Sequence, residues 1–448
     1  MTTFCRFAPS PTGFLHVGNI RAAIINFLYA KKTGGKFMLR FDDTDIERVR
    51  PEYSEMIPLD MAWLGLHYDS FVKESDRLAQ YENAKNLLIK SGRLYECYES
   101  AEELNLQRKA QVASGTAPLY DRAALNLTDE QKANLRAQGL KPHYRFLLEE
   151  KIVAWDDRIK GRITYEGRHF SDPVLVRDNN VPTYTFCSVV DDIELGITDI
   201  IRGEDHITNT AIQIQIFEAL IHAGLKGIVP NFAHLALVKA AEGKISKREG
   251  GFDVKTLRND GYEPFAVVSL LAQIGTSEPI KIYKNFDELI NNFDFSKFSK
   301  SSTNYDLSEL TTINQKLLQI LDFKDVQPRL KSLGLDMVDE EFWLIMRQNI
   351  VFLSEIAKWL KICQEKFYHN HQEKDRDFLK LVSSLLPQDT KAKECWNDWL
   401  VEIKKNTDRK GKELFMPIRQ ALSGEEHGPE IKSLVNLINR EEILRRLN

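Results

Sequence analysis

The chain has 448 residues, about three times the usual length of a single domain, so we expect about two to four domains. Hydrophobic residues make up 43% and charged residues 28%, a composition that excludes a fibrous or largely disordered protein. The 61 basic and 65 acidic residues give a net charge of −4, so local basic patches would have to hold any nucleic acid partner.

We expect a cytoplasmic protein that is not attached to a membrane. Its apolar runs, such as Ile212–Leu220, fall well short of a bilayer span, and its first residues lack the basic and apolar regions of a secretory signal. The five cysteines are scattered and odd in number, which indicates reduced thiols and no disulfide framework.

Strands and helices alternate over the first 65 residues. Short runs with β-branched and aromatic residues predict strands at Thr2–Ala8 and Lys36–Phe41. Apolar residues at helical spacing predict a helix from about Gly18 to Lys32, and a second helix is predicted from about Pro51 to Leu64. Alternation of this kind implies a parallel sheet with right-handed crossovers.

The pattern changes between Glu96 and Val181, where we predict an insertion with its own small core. Charged helices are predicted at Ala101–Ser114 and Asp129–Gln138, and short strands at Tyr144–Leu148, Ile152–Asp156 and Arg162–Tyr165. The α/β pattern then resumes with a helix near Ser188–Glu194, a strand at Asp199–Arg202 and a helix from about Thr208 to His222.

Strand signals nearly vanish after about residue 301. The stretches Glu340–Trp359 and Asp375–Leu386 have helical periodicity, and no fixed-period repeat is present. The last third of the chain is therefore predicted to be an α-helical bundle or solenoid.

Two segments carry residues suited to phosphate chemistry. The first follows the first predicted strand and places His16 and Gly18 at the start of a helix, where α/β sheets bind phosphates. The second carries Lys244, Lys247 and Arg248 between glycines, as suits a mobile loop that closes over phosphates. Either segment alone would be better explained as an exposed loop. A P-loop, a dinucleotide-binding glycine pattern, H-E-x-x-H and C-x-x-C do not occur in the sequence.

Further motifs accompany these two segments. In chain order the set is Arg6-Phe-Ala-Pro-Ser-Pro-Thr-Gly13, Leu15-His-Val-Gly18, Arg40-Phe-Asp-Asp-Thr-Asp45, Val189-Val-Asp-Asp192, Ile201-Arg-Gly-Glu-Asp-His206, Lys244-Ile-Ser-Lys-Arg248 and Pro417-Ile-Arg419-Gln-Ala-Leu-Ser-Gly424. In order and spacing this set resembles bacterial glutamyl-tRNA synthetases, which are class I aminoacyl-tRNA synthetases, over nearly the whole chain. The resemblance implies a ligase that makes glutamyl-adenylate from L-glutamate and ATP and transfers glutamate to the 3′ end of tRNA(Glu). Whether tRNA(Gln) is also charged stays open.

The chemistry of that reaction fits the motifs. The α-carboxylate of the amino acid must attack the α-phosphate of ATP in line, so catalysis consists of positioning and of stabilising charge on the phosphoryl oxygens. The resemblance implies that His16, Lys244 and Lys247 are catalytic and that Mg²⁺ shields the leaving pyrophosphate. The ATP site that it implies comprises Pro9, Ser10, His16, Gly18, Asn19, Lys244, Ser246 and Lys247.

Glutamate carries two carboxylates and an ammonium group, so its pocket needs cations and an acceptor. The resemblance implies a pocket of Arg6, Ala8, Ser10, Asp42, Tyr184 and Arg202. Two positions depart from the family: Asp42 stands where Glu is usual, and Ser188 stands where many members have Asn. The shorter aspartate can still accept from the ammonium group. For Arg6 a second interpretation stays open, in which it is a surface arginine that pairs with Asp43.

Some members of the family hold zinc in the insertion through a Cys-x-Cys pair and a later Cys-x-Tyr/His pair. Here Tyr95–Glu99 contains one cysteine, Cys97, and Tyr120-Asp-Arg122 has neither Cys nor His nearby. One thiolate cannot complete a tetrahedral site. We therefore predict no structural zinc and a buried, apolar Cys97.

The predicted fold class is α/β: a Rossmann-like parallel-sheet catalytic domain with an inserted α+β subdomain, followed by an all-α C-terminal region. The predicted boundaries are 1–96 and 182–232 for the catalytic domain, 97–181 for an acceptor-stem-binding insertion, 233–300 for a linking domain with the basic loop, and 301–448 for a helical anticodon-binding region. We expect a monomer. The alternatives are a glutaminyl-tRNA synthetase, a small-molecule nucleotidylyltransferase and a non-catalytic tRNA-binding paralogue.

Overall fold

The computed structural model describes residues 2–45, 47–240, 253–366, 371–392 and 394–448. The basic loop, with Lys244, Ser246 and Lys247, lies outside the described residues. The chain divides into two compact units, one of Met1–Asp260 with Val267–Leu307 and one of Gly261–Ala266 with Ser308–Asn448.

Strands and helices alternate through much of the first unit. In chain order they are β1 (Phe4–Phe7), α1 (Val17–Lys32), β2 (Lys36–Phe41), α2 (Pro51–Trp63), β3 (Ser70–Lys73), α3 (Leu78–Lys90), β4 (Leu94–Cys97), α4 (Ala101–Ala113), α5 (Asp129–Ala137), β5 (His143–Phe146), β6 (Ile152–Asp157), β7 (Gly161–Glu166), β8 (Val174–Val176), α6 (Tyr184–Glu194), β9 (Asp199–Gly203), α7 (Ile207–His222), β10 (Asn231–Leu235), β11 (Val238–Ala240), α8 (Val254–Asn259), α9 (Pro264–Gln273), α10 (Phe286–Asn292) and β12 (Thr303–Tyr305).

The main sheet has five parallel strands in the order β10-β9-β1-β2-β3, which confirms the predicted fold class. Because β2 lies on one side of β1 and β9 on the other, the strand order reverses beside β1. In an open α/β sheet such a reversal opens a crevice at the carboxyl ends of the two strands, and ligands bind there. The sheet thus places the loop after β1 and the loop after β9 around one crevice.

Two strands of this sheet, β3 and β10, were not predicted. The residues of β10 from Phe232 to Leu235 are all buried, but His234 interrupts the apolar run by which a buried parallel strand is recognised. The predicted boundary at residue 232 falls inside β10, and β12, beyond the predicted boundary at 301, pairs with β11 in the first unit. The four-domain division stays a prediction.

The insertion contains two antiparallel sheets, as its short predicted strands indicated. One has the order β4-β5-β8, and the other is the hairpin β6–β7. Its helices α4 and α5 begin at capping boxes formed by Ser100 with Glu103 and by Thr128 with Gln131. Neither helix buries a side chain, which agrees with their charged composition.

An apolar core joins the insertion to the helices of the first unit. Leu88 of α3, Phe186 of α6 and Phe217 of α7 belong to the same buried cluster as Phe146 of β5 and Trp155 of β6. Burial of large apolar side chains contributes about 1.5–3 kcal/mol each. The insertion is therefore packed against the catalytic sheet's helices and is not a loosely tethered module.

All five cysteines are buried and unbridged, in agreement with the predicted reduced thiols. Burial raises the pKa of each thiol, and raises the pKa of Cys97 and Cys363 to about 12. The buried position predicted for Cys97 is confirmed.

The described residues of the second unit contain helices and no strand. The helices are α11 (Leu307–Ile320), α12 (Phe323–Ser332), α13 (Glu340–Met346), α14 (Ile356–Gln364), α15 (Arg376–Ser384), α16 (Cys395–Lys405), α17 (Gly411–Ser423), α18 (Ile431–Leu437) and α19 (Arg440–Leu447). Among the described residues of the whole chain, no helix is long and apolar enough to cross a membrane.

The helical periodicity over Glu340–Trp359 corresponds to two helices, α13 and α14, which are separated by a break. The carboxylate of Glu355 accepts hydrogen bonds from the backbone N–H groups of Val351 and Phe352, at 3.1 and 2.9 Å, and so caps the short 3-10 turn Leu353–Glu355 that leads into α14. Apolar side chains keep their helical spacing across the break, so periodicity alone did not reveal it. The helix predicted at Asp375–Leu386 is confirmed as α15.

Candidate active site

A cleft of about 270 Å³ opens at the carboxyl ends of β1 and β9. Its walls are the loop after β1, the first turn of α1, the loop after β9 and the chain after β10. Of the predicted site residues it brings together Arg6, Ala8, Pro9, His16, Gly18, Asn19, Tyr184 and Arg202. Ser10 lines an adjoining cavity that shares His16 and Tyr184 with the cleft.

His16 is the N-cap of α1. Its Nδ1 accepts hydrogen bonds from the backbone N–H groups of Gly18 and Asn19, at 3.1 and 3.4 Å. A Cβ at Gly18 would lie 3.0 Å from the imidazole, so the His-x-Gly spacing lets the ring fold onto the helix terminus. Because Nδ1 accepts, the neutral ring carries its proton on Nε2 and can donate from there. The helix N-terminus and this ring together favour an anionic group in the cleft.

Arg6 points its guanidinium at an acidic side chain of helix α6. Nε and Nη2 of Arg6 lie 3.1 and 3.2 Å from the two carboxylate oxygens of Asp192. Arg6 is buried, and the carboxylate of Asp43 instead accepts from the backbone N–H and the hydroxyl of Ser75, at 2.8 Å each. The interpretation of Arg6 as a surface partner of Asp43 is therefore wrong.

Asp42 is buried and paired with Arg40. Nε of Arg40 lies 2.7 Å from Oδ1 of Asp42, and Nη1 of Arg40 lies 2.8 Å from Asp192. Burial alone would lower the pKa of Arg40, but the carboxylates of Asp42 and Asp192 raise that pKa well above its usual value. The described residues that line the cleft do not include Asp42, although the sequence predicted it there.

Arg202 has a different environment from Arg6. Its Nη1 donates to the hydroxyl of Tyr184 at 3.2 Å, and its Nη2 donates to Thr210 Oγ1 and Gln213 Oε1 at 2.6 Å each. These partners are neutral, and the buried Nε has no hydrogen-bond partner among the described residues. Burial lowers the pKa of Arg202 and the nearby charge of Arg6 adds to this effect, while Tyr184 and the charge of Asp192 oppose it. A buried guanidinium held only by neutral groups is suited to receive an anion.

Ser188, the second position that departs from the family, lies behind this arginine. Its hydroxyl is fully buried and accepts a hydrogen bond from Gln213 Nε2 at 2.8 Å. Gln213 thereby bridges Ser188 and Arg202. The substitution at Ser188 is thus compatible with a fixed guanidinium.

Several residues of the cleft were not assigned from the sequence. His206 lines it within a motif of which only Arg202 was assigned a role, and burial lowers the pKa of His206 to about 4. Arg21 is buried beside it and donates to the carbonyl oxygens of Ala236 and Ile274, at 2.7 and 2.9 Å. Leu235 and the three residues after it form one wall of the cleft. They are positioned by strand β10, which was not predicted. Recognition of β10 as a sheet strand would have revealed that wall.

The residues at the family's zinc position do not fit a structural zinc ion. Cys97, Glu99 and His143 place one possible ligand atom each within 4.8 Å of one another, whereas structural zinc takes four ligands. The hydroxyl of Tyr120 donates to Glu99 at 2.6 Å and lies 3.7 Å from the Cys97 sulfur. Burial raises the pKa of Cys97 to about 12, which disfavours the thiolate that zinc requires.

Comparison with known proteins agrees with this geometry. Residues 3–312 match the family model of the catalytic domain of class I tRNA synthetases of the E and Q type. Residues 316–448 match an anticodon-binding domain. Together the two models account for nearly the whole chain.

Individual relatives give the same result. The chain is 48% identical to glutamate–tRNA ligase 1 of Rickettsia felis, over 99% of this chain and 98% of the relative. It is 49% identical to glutamate–tRNA ligase 2 of Orientia tsutsugamushi, over 100% and 99%. Its structure superposes on the crystal structure of a glutamate–tRNA ligase from Elizabethkingia meningosepticum with a TM-score of 0.84 at 26% identity, covering 100% and 99%. The chain therefore belongs to the class I aminoacyl-tRNA synthetases, as a member of the glutamate–tRNA ligase family.

Proposed function

We propose that the chain activates L-glutamate with ATP in the cleft between β1 and β9 and transfers the glutamyl group to tRNA(Glu). The observation that carries the proposal is Arg202, a buried cation whose described hydrogen-bond partners are all neutral. A buried cation without a hydrogen-bonded anion is costly, and a substrate carboxylate supplies that anion. A nucleotidylyltransferase acting on a substrate without a carboxylate would have no use for this arrangement.

The glutamate site consists of Arg6, Ala8, Ser10, Asp42, Tyr184 and Arg202. Arg202 binds one carboxylate of glutamate, and Arg6 binds the other while Asp192 offsets part of its charge. Asp42, which does not line the cleft, acts indirectly, because it holds Arg40 and thereby fixes the acidic side chain of Asp192 beside Arg6. Tyr184 fixes Arg202 through its hydroxyl.

The ATP site consists of Pro9, Ser10, His16, Gly18, Asn19, Lys244, Ser246 and Lys247. His16 donates from Nε2 to a phosphoryl oxygen, since its Nδ1 is held by the start of α1. Lys244 and Lys247 stabilise the charge that develops on the α-phosphate and on the leaving pyrophosphate. Mg²⁺ neutralises phosphate charge when it is bound, and among the described lining residues Asp205 offers a carboxylate that would help to hold it.

The C-terminal helices read the anticodon, and the insertion receives the acceptor stem. Unpaired bases are recognised by stacking and by hydrogen bonds to their edges, which the helical unit supplies. A monomeric, cytoplasmic enzyme without structural zinc stays our prediction, as does the four-domain division.

One assay tests the proposal. Purified protein is supplied with ATP, Mg²⁺ and either L-glutamate or L-glutamine, and with either tRNA(Glu) or tRNA(Gln). We expect aminoacylation of tRNA(Glu) with glutamate. Charging of tRNA(Gln) with glutamate would extend the substrate range, whereas charging with glutamine alone would identify the enzyme as a glutamine ligase.

A further inference from the structure

A chain of four buried side chains ends at Arg202. The Nδ1 atom of His234 lies 2.5 Å from Oδ2 of Asp157, and Nε2 of His234 lies 2.9 Å from Oγ1 of Thr210. The same Thr210 hydroxyl lies 2.6 Å from Nη2 of Arg202. His234 and Thr210 are fully buried, and Asp157 is 4% exposed. The sequence offered no signal for this chain of side chains, because successive members are 77, 24 and 8 residues apart and belong to four different elements.

The four residues belong to elements that the sheet brings together. Arg202 on β9 is directly opposite His234 on β10 in the parallel register. Thr210 is in the first turn of α7, and Asp157 ends strand β6 of the insertion hairpin. Asp157, His234 and Thr210 are not among the described residues that line the cleft. The hydrogen bond between Thr210 and Arg202 connects them to the proposed glutamate site.

The hydrogen-bond donors along these four side chains all point the same way, toward Asp157. The Asp157 carboxylate accepts backbone N–H groups from His234, Ile159 and Lys160, at 3.1, 3.0 and 2.9 Å, which favours its ionised form. Burial lowers the pKa of His234, so the ring is neutral and its one proton lies on Nδ1, facing this carboxylate. Nε2 is then an acceptor, and the Thr210 hydroxyl donates to it. The carbonyl oxygen of His206 is 3.1 Å from the same hydroxyl, but a proton directed there would leave Nε2 and the Thr210 oxygen without a hydrogen between them.

This direction matters for Arg202. When the Thr210 proton points to His234, the lone pairs of the hydroxyl oxygen face Nη2 of Arg202. The ring of His234 packs beside those of Trp155 and Phe232, whose centroids are each 6.3 Å from its own. A second link runs in parallel, because Lys160 in the hairpin turn forms an ion pair with Glu204 in the loop that follows Arg202.

We propose that Asp157, His234 and Thr210 are positioning residues that hold the Arg202 guanidinium in the orientation that receives a carboxylate of glutamate. Arg202 needs such support because no carboxylate of the described residues pairs with it. Preorganised orientation of a charged group lowers the cost of binding its partner. The inference rests on the proposed role of Arg202 in binding glutamate, and it makes the insertion hairpin part of the amino acid site.

The test uses Thr210→Val and Thr210→Ser in the full-length protein, with aminoacylation of tRNA(Glu) as the assay. Valine has the shape of threonine without the hydroxyl, whereas serine keeps the hydroxyl. We expect Thr210→Val to raise KM for glutamate about tenfold, as for the loss of one hydrogen bond to a charged group, with KM for ATP within about twofold of the parent. Thr210→Ser, which keeps the hydroxyl, should have a KM for glutamate close to that of the parent.

The matched control is Gln215→Met on the same helix. Gln215 is fully buried and exchanges two hydrogen bonds with the backbone of Glu149, at 2.8 and 3.1 Å, so it also ties α7 to the insertion but does not touch Arg202. We expect this variant to lower Tm and to leave KM for glutamate unchanged. Asp157→Asn is a second probe, because an amide that donates to Nδ1 of His234 would reverse the protons along the chain; it should raise KM for glutamate as Thr210→Val does.

Three outcomes would overturn the inference. Equal increases in KM for glutamate and ATP in Thr210→Val, or the same increase in Gln215→Met, would mean that the chain is only structural. A Thr210→Val enzyme with the parent KM for glutamate would mean that Arg202 does not depend on the chain. Arg202→Lys separates this inference from the proposed role of Arg202 in binding glutamate. A changed KM for glutamate in Arg202→Lys, with an unchanged KM in Thr210→Val, would overturn the positioning role alone. An unchanged KM for glutamate in Arg202→Lys would overturn both.

Discussion

The guanidinium of Arg6 and the carboxylate of Asp192 meet side by side, with Nε and Nη2 at 3.1 and 3.2 Å from the two carboxylate oxygens. Asp192 does not belong to Arg6 alone, because Arg40 donates to it at 2.8 Å. Loss of Arg6 therefore leaves Asp192 paired with a second buried cation. A variant at Arg6 should consequently fold and report on substrate binding.

Arg6→Ala should lower kcat/KM for glutamate by about 10²–10³, because a substrate carboxylate would be left unpaired in a desolvated pocket. If Arg6 binds the side-chain carboxylate, glutamine should lose far less, and the preference for glutamate should shrink. The measurement is ATP consumption with each amino acid in the presence of tRNA. Equal losses for both amino acids would assign Arg6 to the α-carboxylate and give the specificity role to Arg202.

His16 can be tested apart from its capping role. Asparagine is also a good N-cap, so His16→Asn should keep Tm close to that of the parent while removing the donor at Nε2. We expect kcat to fall about 10²–10³ in this variant. His16→Ala should show the same loss in kcat and a further loss of about 1 kcal/mol in the free energy of unfolding. A His16→Asn enzyme with normal kcat would limit His16 to the helix cap.

Lys247→Ala should lower the rate of glutamyl-adenylate formation by about 10²–10³-fold, as for the loss of one preorganised charge stabiliser. The effect should appear in kcat, with the affinity for glutamate little changed. The measurement is single-turnover formation of aminoacyl-tRNA by the parent and by the Lys247→Ala variant. Turnover near that of the parent would remove Lys247 from catalysis.

Zinc should be present at less than one atom per chain after purification, and chelators should leave activity and Tm unchanged. The reason lies in the cluster of Cys97, Glu99 and His143, which offers three ligand atoms where structural zinc takes four. Elemental analysis measures the content, and Cys97→Ala is the matched variant. Stoichiometric zinc that is lost in Cys97→Ala would contradict the prediction.

Local sequence signals located the elements that carry the cleft. The first strand, the helix that His16 caps and the strand that contains Arg202 all follow from short-range composition and spacing. Such local signals cannot identify interaction partners that are far apart in the sequence. Asp43 was considered as a surface partner of Arg6, but the actual partner, Asp192, is 186 residues away. His234 was missed for a related reason, since a polar residue inside a buried strand can be recognised only once its partners are known.

The buried cysteines have a practical consequence for observing the enzyme at work. All five thiols are buried and have a raised pKa, so an alkylating dye should react with the native chain only slowly. The helices α4 and α5 bury no side chain, which makes their surface a neutral place for an added cysteine. A fluorophore attached there could follow the arrival of tRNA at the insertion in real time, without removal of any native thiol.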